Sequence, residues 1–168
     1  MQMNAQTRIE IPPRGTRGSS NPAGSQLLAK LFKPLIDMQV SRMRKNAGPG
    51  QPKLMGFPVL LLTTIGARTG QERTHVLGGF PDGDGSWLIV ASKGGAATHP
   101  AWFINLAKNP DQVWIEVGDR RLKVAVECLQ GEARERAYAK VVAAAPSYRD
   151  YPKKTDREIP VLRLTAES

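Results

Sequence analysis

Cysteine and histidine are nearly absent: the 168 residues hold one cysteine, Cys128, and two histidines, His75 and His99. A lone cysteine excludes a disulfide within the chain and makes a reducing cytoplasm the expected compartment. So few soft ligands also exclude the usual zinc centre, and no metal is expected. No apolar run approaches the roughly 20 residues of a membrane-crossing helix; the longest, residues 57–62, is strand-sized. Aromatic residues make up only 6%, a poor stacking platform, so nucleic-acid binding is not expected. The first residues lack the apolar core and cleavage site of a secretory signal, and none is expected.

What is present suits one compact domain, with 40% hydrophobic residues for its core. The net charge is +9, and it is concentrated early in the chain. Residues 1–50 carry eight Lys/Arg against Glu10 and Asp37, whereas the remainder carries sixteen basic and thirteen acidic groups. Such a basic segment attracts anionic lipid or a polyanionic ligand, or else serves as a solvated tail. Residues 1–24, rich in Pro, Gly, Ser and Arg without hydrophobic period, are expected to form a mobile basic arm. Residues 25–168 are expected to form the single domain. It begins with an amphipathic helix over 25–45, in which Leu28, Leu31, Phe32, Leu35, Ile36 and Met43 recur at helical spacing. Ser25 can cap its start, and Pro34 should kink or split it.

Beyond Gly56 the pattern is mainly that of strands. Residues 57–64 are apolar throughout; 72–80, 86–91 and 158–164 read as further strands, and the alternating runs 113–117 and 122–128 flank Gly118-Asp119, a two-residue hairpin signal. Short helices are expected near 100–108 and 132–145. Six short strands joined mostly by hairpins suit a small antiparallel barrel, with an open sheet as the alternative.

Three segments carry chemistry. In residues 63–75, Gly66 and Gly70 allow a tight turn, Arg68 and Arg73 offer forked donors, and Thr64 and Thr69 offer hydroxyls. This suits a phosphate or carboxylate, although an ordinary hairpin with solvated arginines has the same composition. Residues 91–97 follow a strand with Ser92, Lys93, Gly94 and Gly95, and the helix starting near Pro100 points its positive end back at them. In 145–151, Tyr148 and Tyr151 are three apart and share a helical face, where they can donate protons or simply pack. Trp102 and Asn105, also three apart, could face the same pocket. His75, His99 and Cys128 are isolated and read as structural.

Taken in order, residues 57–71, 90–95, 100–106, 146–151 and 155–157 resemble the deazaflavin-dependent nitroreductase family of actinobacteria. The resemblance implies a split β-barrel, mainly β with peripheral helices, similar to flavin-binding pyridoxamine-phosphate oxidases. It implies coenzyme F420, an 8-hydroxy-5-deazaflavin, as hydride donor to a small electrophilic acceptor: a quinone, an unsaturated lactone or ester, or a nitroaromatic. Coenzyme contacts are implied for Thr64, Gly66, Arg68, Thr69, Gly70, Gln71 and Arg73, and for Ala91, Ser92, Lys93, Gly94, Gly95, Trp102 and Asn105. Tyr148, Tyr151 and Ser92 are the implied catalytic hydroxyls. An enzyme using flavin mononucleotide and a non-catalytic deazaflavin- or lipid-binding module are the alternatives. Ala145 and Gly78 stand where nitroimidazole-reducing relatives carry aromatics, which should open the pocket; Ala67 replaces a basic residue. The expected assembly is a monomer or weak homodimer, with the basic helix at the inner face of the cell membrane or over the pocket mouth.

Overall fold

The computed structural model describes residues 8–19, 26–83 and 85–168, without the side chains of 26–30. Helix α1 (Gln26–Lys45) leads into β1 (Lys53–Leu54), β2 (Phe57–Ile65), β3 (Glu72–Gly78), β4 (Phe80–Pro81) and β5 (Ser86–Val90). Then come α2 (Ala101–Lys108), the hairpin β6 (Trp114–Val117) and β7 (Arg120–Cys128), α3 (Gly131–Ala144), α4 (Tyr151–Lys154) and β8 (Val161–Ala166). Every pairing is antiparallel, in the order β3-β2-β6-β7-β8-β5-β4. The order closes on itself, because β3 and β4 are two pieces of one bent strand: β3 pairs with β2, and β4 pairs with β5. The result is the expected barrel, with the strand predicted over 72–80 bending at its lower end. The bend needs Gly79, where a Cβ would lie 2.3 Å from Leu60 Cδ2. Strand β1, unforeseen in the sequence, adds a short pair to the start of β2.

Alternation divides the apolar residues into two clusters. Leu60, Leu62, Trp87, Ile89, Ile115, Val117, Val124, Leu162 and Leu164 point inward, and Trp102, Phe103 and Leu106 of α2 join them as a plug. Phe80, Leu88, Val90 and Val161 point outward and pack under Ala137 and Val141 of α3, with Tyr148 and Tyr151 at the margin. Helix α1 is continuous through Pro34, so Pro34 does not split it in two. Pro34 is exposed, and its missing N–H leaves the carbonyl four residues earlier without its helical donor. Val40 is buried, but Leu31, Phe32, Leu35, Ile36 and Met38 are exposed. Ser25 and Leu28 lie outside the described positions and side chains.

The mobile-arm expectation requires a correction for residues 8–19, which lie against the barrel as a strap; 1–7 and 20–24 are outside the described residues. Ile9 is buried in the main core. The Gly15 and Ser19 amides donate to Ala97 O and Gly95 O, at 2.8 and 2.9 Å. Asp156 accepts from the Thr16 amide and hydroxyl and from the Arg17 amide. These contacts run mostly through polar groups, with Ile9 and Ile11 as the apolar anchors, so no hydrophobic period announces them. Ile9→Ala should therefore lower stability by about 2 kcal/mol, the lower end for truncating a core isoleucine. Denaturant titration checks this; an undocked arm would leave the midpoint unchanged.

Candidate functional site

Strands β2 and β5 run in the same direction, so the turns following them lie on one rim of the barrel. The turn between β2 and β3 is closed by Gly66 N donating to Gln71 O and Gly70 N donating to Gly66 O, both at 2.8 Å. Gly70 has φ +69, but Gly66 does not adopt the positive φ expected of it; it is needed for close approach to Thr69 Oγ1, 2.6 Å from an added Cβ. Asn105 Oδ1 accepts from the Ala67 amide at 3.0 Å, so α2 braces this turn from below. Arg68, Thr69, Gly70 and Gln71 are exposed on it, and Arg73 is half-buried beside it. Thr64, Ala91 and Trp102 are buried, which puts them behind the rim and not on it. The Thr64 hydroxyl and His75 Nδ1 are buried without a hydrogen-bond partner among the described residues.

The second turn, Ser92–Ala96, is held from inside by Arg157, itself only 6% exposed. Its Nη2 donates to Ala91 O and Ser92 O at 3.1 and 2.8 Å, and its Nε to Ala96 O at 2.7 Å. Its Nη1 donates to Glu158 O at 3.3 Å and to His99 Nδ1 at 3.2 Å. Since arginine only donates, His99 Nδ1 must accept, and the ring proton sits on Nε2, which donates to Pro12 O at 2.7 Å. Lys93 has φ 45, a left-handed conformation that costs a non-glycine residue about 1 kcal/mol. Its ammonium donates to Thr98 Oγ1 at 2.9 Å, and burial, then the Arg157 charge, lowers its pKa. Gly95 has no room for a side chain: a Cβ would meet Lys154 Cβ at 2.8 Å and Tyr151 O at 3.0 Å. That contact joins the second turn to the tyrosine segment.

Tyr148 and Tyr151 pack edge to face with ring centroids 5.1 Å apart. Tyr138 donates its hydroxyl to Tyr148 O and fixes this segment to α3. Neither the Tyr148 nor the Tyr151 hydroxyl has a hydrogen-bond partner among the described residues. Burial, with Tyr151 and Tyr138 nearby, pushes the Tyr148 pKa up to about 12. The space expected to open at Gly78 is occupied by Tyr148, whose Oη would lie 2.7 Å from an added Cβ. Ala145 is buried in the outer cluster and leaves no opening either.

The site is thus an open rim. A cavity of about 630 Å³ lies elsewhere, under α1 against Val59 and Leu61, and another of about 800 Å³ lies between the strap and β7. Cations stand at both turns: Arg68 and Arg73 at the first, and Lys93 and Lys154 at the second, where Arg17 of the strap donates to Lys153 O. Asp156 stands among them, its pKa held down to about 2 by the Thr16 hydroxyl first and then by the Arg17 amide. No role for Arg157 or Asp156 is predicted from the sequence, although both lie in the 155–157 stretch; His99 is structural, as expected. The only available signal was that an arginine between Asp156 and Glu158 opens an apolar strand.

Comparison with known proteins gives one consistent answer. The family model for F420H(2)-dependent quinone reductase matches residues 35–166. An F420H(2)-dependent quinone reductase of Mycobacterium tuberculosis is 42% identical over 120 residues, covering 70% of this chain and 76% of its own. Among solved structures, an F420-H2 dependent reductase, FDR-A, is 38% identical with a TM-score of 0.59, covering 67% of this chain and 98% of that one. A second, described as a domain-swapped dimer, is 34% identical with a TM-score of 0.61, covering 76% and 94%.

The His99 geometry sets a pH dependence. Burial first, then the Arg157 charge, lowers its pKa from 6.5 against the opposing pull of the Pro12 carbonyl. The folded protein therefore binds fewer protons than the unfolded chain; the stability is complete above about 6.5 and is lost as pH falls through the folded value. His75 shifts the same way through burial. The thermal midpoint should fall from about pH 7 to about pH 5, and His99→Gln should remove part of that slope. An unchanged slope in the variant would put the pH sensitivity elsewhere.

Proposed function

This chain belongs to the F420H(2)-dependent quinone reductase family, and on that premise we propose that it passes reducing equivalents to a quinone. It is an oxidoreductase whose coenzyme is the deazaflavin F420. The residues of the rim fit a flat ring system with a long anionic tail. The amides of Ser92, Lys93 and Gly94 have no acceptor among the described residues, and Lys154 and Tyr151 pack against the same turn at Gly95. When bound, the reduced deazaflavin supplies the hydride.

The work of the protein is then binding, orientation and proton supply. Arg68 and Arg73 hold the anionic tail through forked hydrogen bonds. Lys93 and the Ser92–Gly94 amides hold a second anionic or carbonyl group. Tyr148 and Tyr151 face the acceptor. With its pKa near 12, Tyr148 keeps its proton at neutral pH and acts as a donor toward the oxygen that gains charge as a quinone is reduced. The observation that carries this reading is the run of unpartnered Ser92–Gly94 amides in a turn that also carries Lys93 and is packed through Gly95 against Tyr151 and Lys154.

The test is anaerobic oxidation of the reduced coenzyme by a water-soluble quinone. Arg68→Ala or Arg73→Ala should weaken coenzyme binding by about 1–3 kcal/mol, with kcat changing less. Tyr148→Phe should lower kcat and leave coenzyme affinity nearly intact. Protein that binds flavin mononucleotide instead, or that leaves the quinone unreduced, would sink the reading.

We further infer that α1 rests on an anionic membrane surface, where a lipid-soluble quinone resides. Support comes from Leu31, Phe32, Leu35, Ile36 and Met38, exposed on one helix that ends in Arg42, Arg44 and Lys45. Sedimentation with anionic vesicles at low salt should carry the protein down, and Phe32→Ser with Leu35→Ser should leave it in solution. Equal partition of both proteins would refute the membrane role.

A further inference from the structure

We propose that Arg157 is a positioning residue of the coenzyme site: by drawing the carbonyls of Ala91 and Ser92 inward, it turns the amides of Ser92 and Lys93 outward toward the bound ligand. The proposal rests on the coenzyme reading of this rim. It begins from the hydrogen bonds of Arg157, whose five N–H groups are all used: Nε on Ala96 O, Nη1 on Glu158 O and His99 Nδ1, Nη2 on Ala91 O and Ser92 O. No carboxylate is among these partners.

A planar trans peptide carries its C=O and N–H on opposite sides. Fixing Ala91 O and Ser92 O on the buried guanidinium therefore points the Ser92 and Lys93 N–H groups away from it. The turn's own hydrogen bonds use different amides: Gly95 N donates to Ser92 O at 2.9 Å and Ala96 N to Lys93 O at 3.1 Å. The amides of Ser92, Lys93 and Gly94 are left over, successive in sequence. Ser92 in the right-handed region, φ −76 and ψ −38, followed by Lys93 at φ 45 folds such successive amides into a concave anion receptor. Arg157 contributes no atom to the ligand. It sets the direction of two donors and keeps the charge of the whole receptor positive from behind.

Lysine at 157 retains the charge but has three donors on one atom, so it cannot span carbonyls on both ends of the turn. Coenzyme titration and residue-resolved amide hydrogen exchange on the full chain compare wild type, Arg157→Lys and Arg157→Gln. In both variants the coenzyme dissociation constant should rise about tenfold or more. The Gly95 and Ala96 amides should lose protection, while amides of β2, β6 and β7 keep theirs. A general loss of packing would instead move all of these together. Variants that bind the coenzyme like wild type overturn the proposal. Should neither variant fold, wild type alone decides: Ser92 and Lys93 amides should exchange freely without coenzyme and slow when it binds, and failure to slow overturns the proposal. Wild-type protein that binds no deazaflavin overturns the functional reading and the proposal with it. Binding with unaffected variants removes the proposal alone.

Discussion

A guanidinium buried without a carboxylate must have its charge met by dipoles, and at Arg157 those dipoles are backbone carbonyls and one imidazole nitrogen. The desolvation cost of such a charge is several kcal/mol unless every donor is matched. Here every donor is matched, and the matching groups come from three separate stretches of chain. Ala91, Ser92 and Ala96 belong to the turn after β5, His99 leads into α2, and Glu158 leads into β8. One side chain therefore ties together the rim, the barrel plug and the last strand. His99 passes the tie on to the strap through Pro12 O.

The barrel was legible because side-chain alternation reports the inside of a curved sheet. The runs that became β6 and β7 alternate, β5 is apolar throughout because both of its faces are covered, and Gly118-Asp119 marks the tight hairpin between β6 and β7. The division of residues 72–81 at Gly79 was not legible, because a bend is a backbone event and Phe80 continues the apolar pattern across it. The pairing of Tyr148 with Tyr151 could be read from their spacing. The burial of Thr64 and Trp102 agrees with a doubly covered strand and a core tryptophan, but their distance from any ligand could not be read, since it depends on how α2 plugs the barrel. The role of Arg157 was hidden for a different reason. Its partners are mainly carbonyls, which every residue possesses, so no pattern of side chains points to it.

Gly78 shows how a missing side chain can be misread. Removing an aromatic from a strand is expected to leave space, yet the ring of Tyr148 lies against Gly78 and packs on Phe80 at 5.5 Å between centroids. The space has been taken over by a residue that also carries a hydroxyl. Burial in that position keeps the hydroxyl protonated, which connects a packing adjustment to the proton inventory of the rim.

Strand β8 lies between β5 and β7, with Val90 opposite Val161 and Cys128 opposite Leu162. It is the last strand in sequence and a central one in space. During synthesis, β2 to β7 can form hairpins as they emerge from the ribosome, but the ring stays open until β8 arrives. Until then β5 and β7 each present an unpaired edge, with the inward faces of Trp87, Ile89 and Val124 uncovered. The nascent chain is thus exposed to wrong pairing from the time β5 emerges until β8 does, and Arg157, made just before β8, is in place when the ring closes.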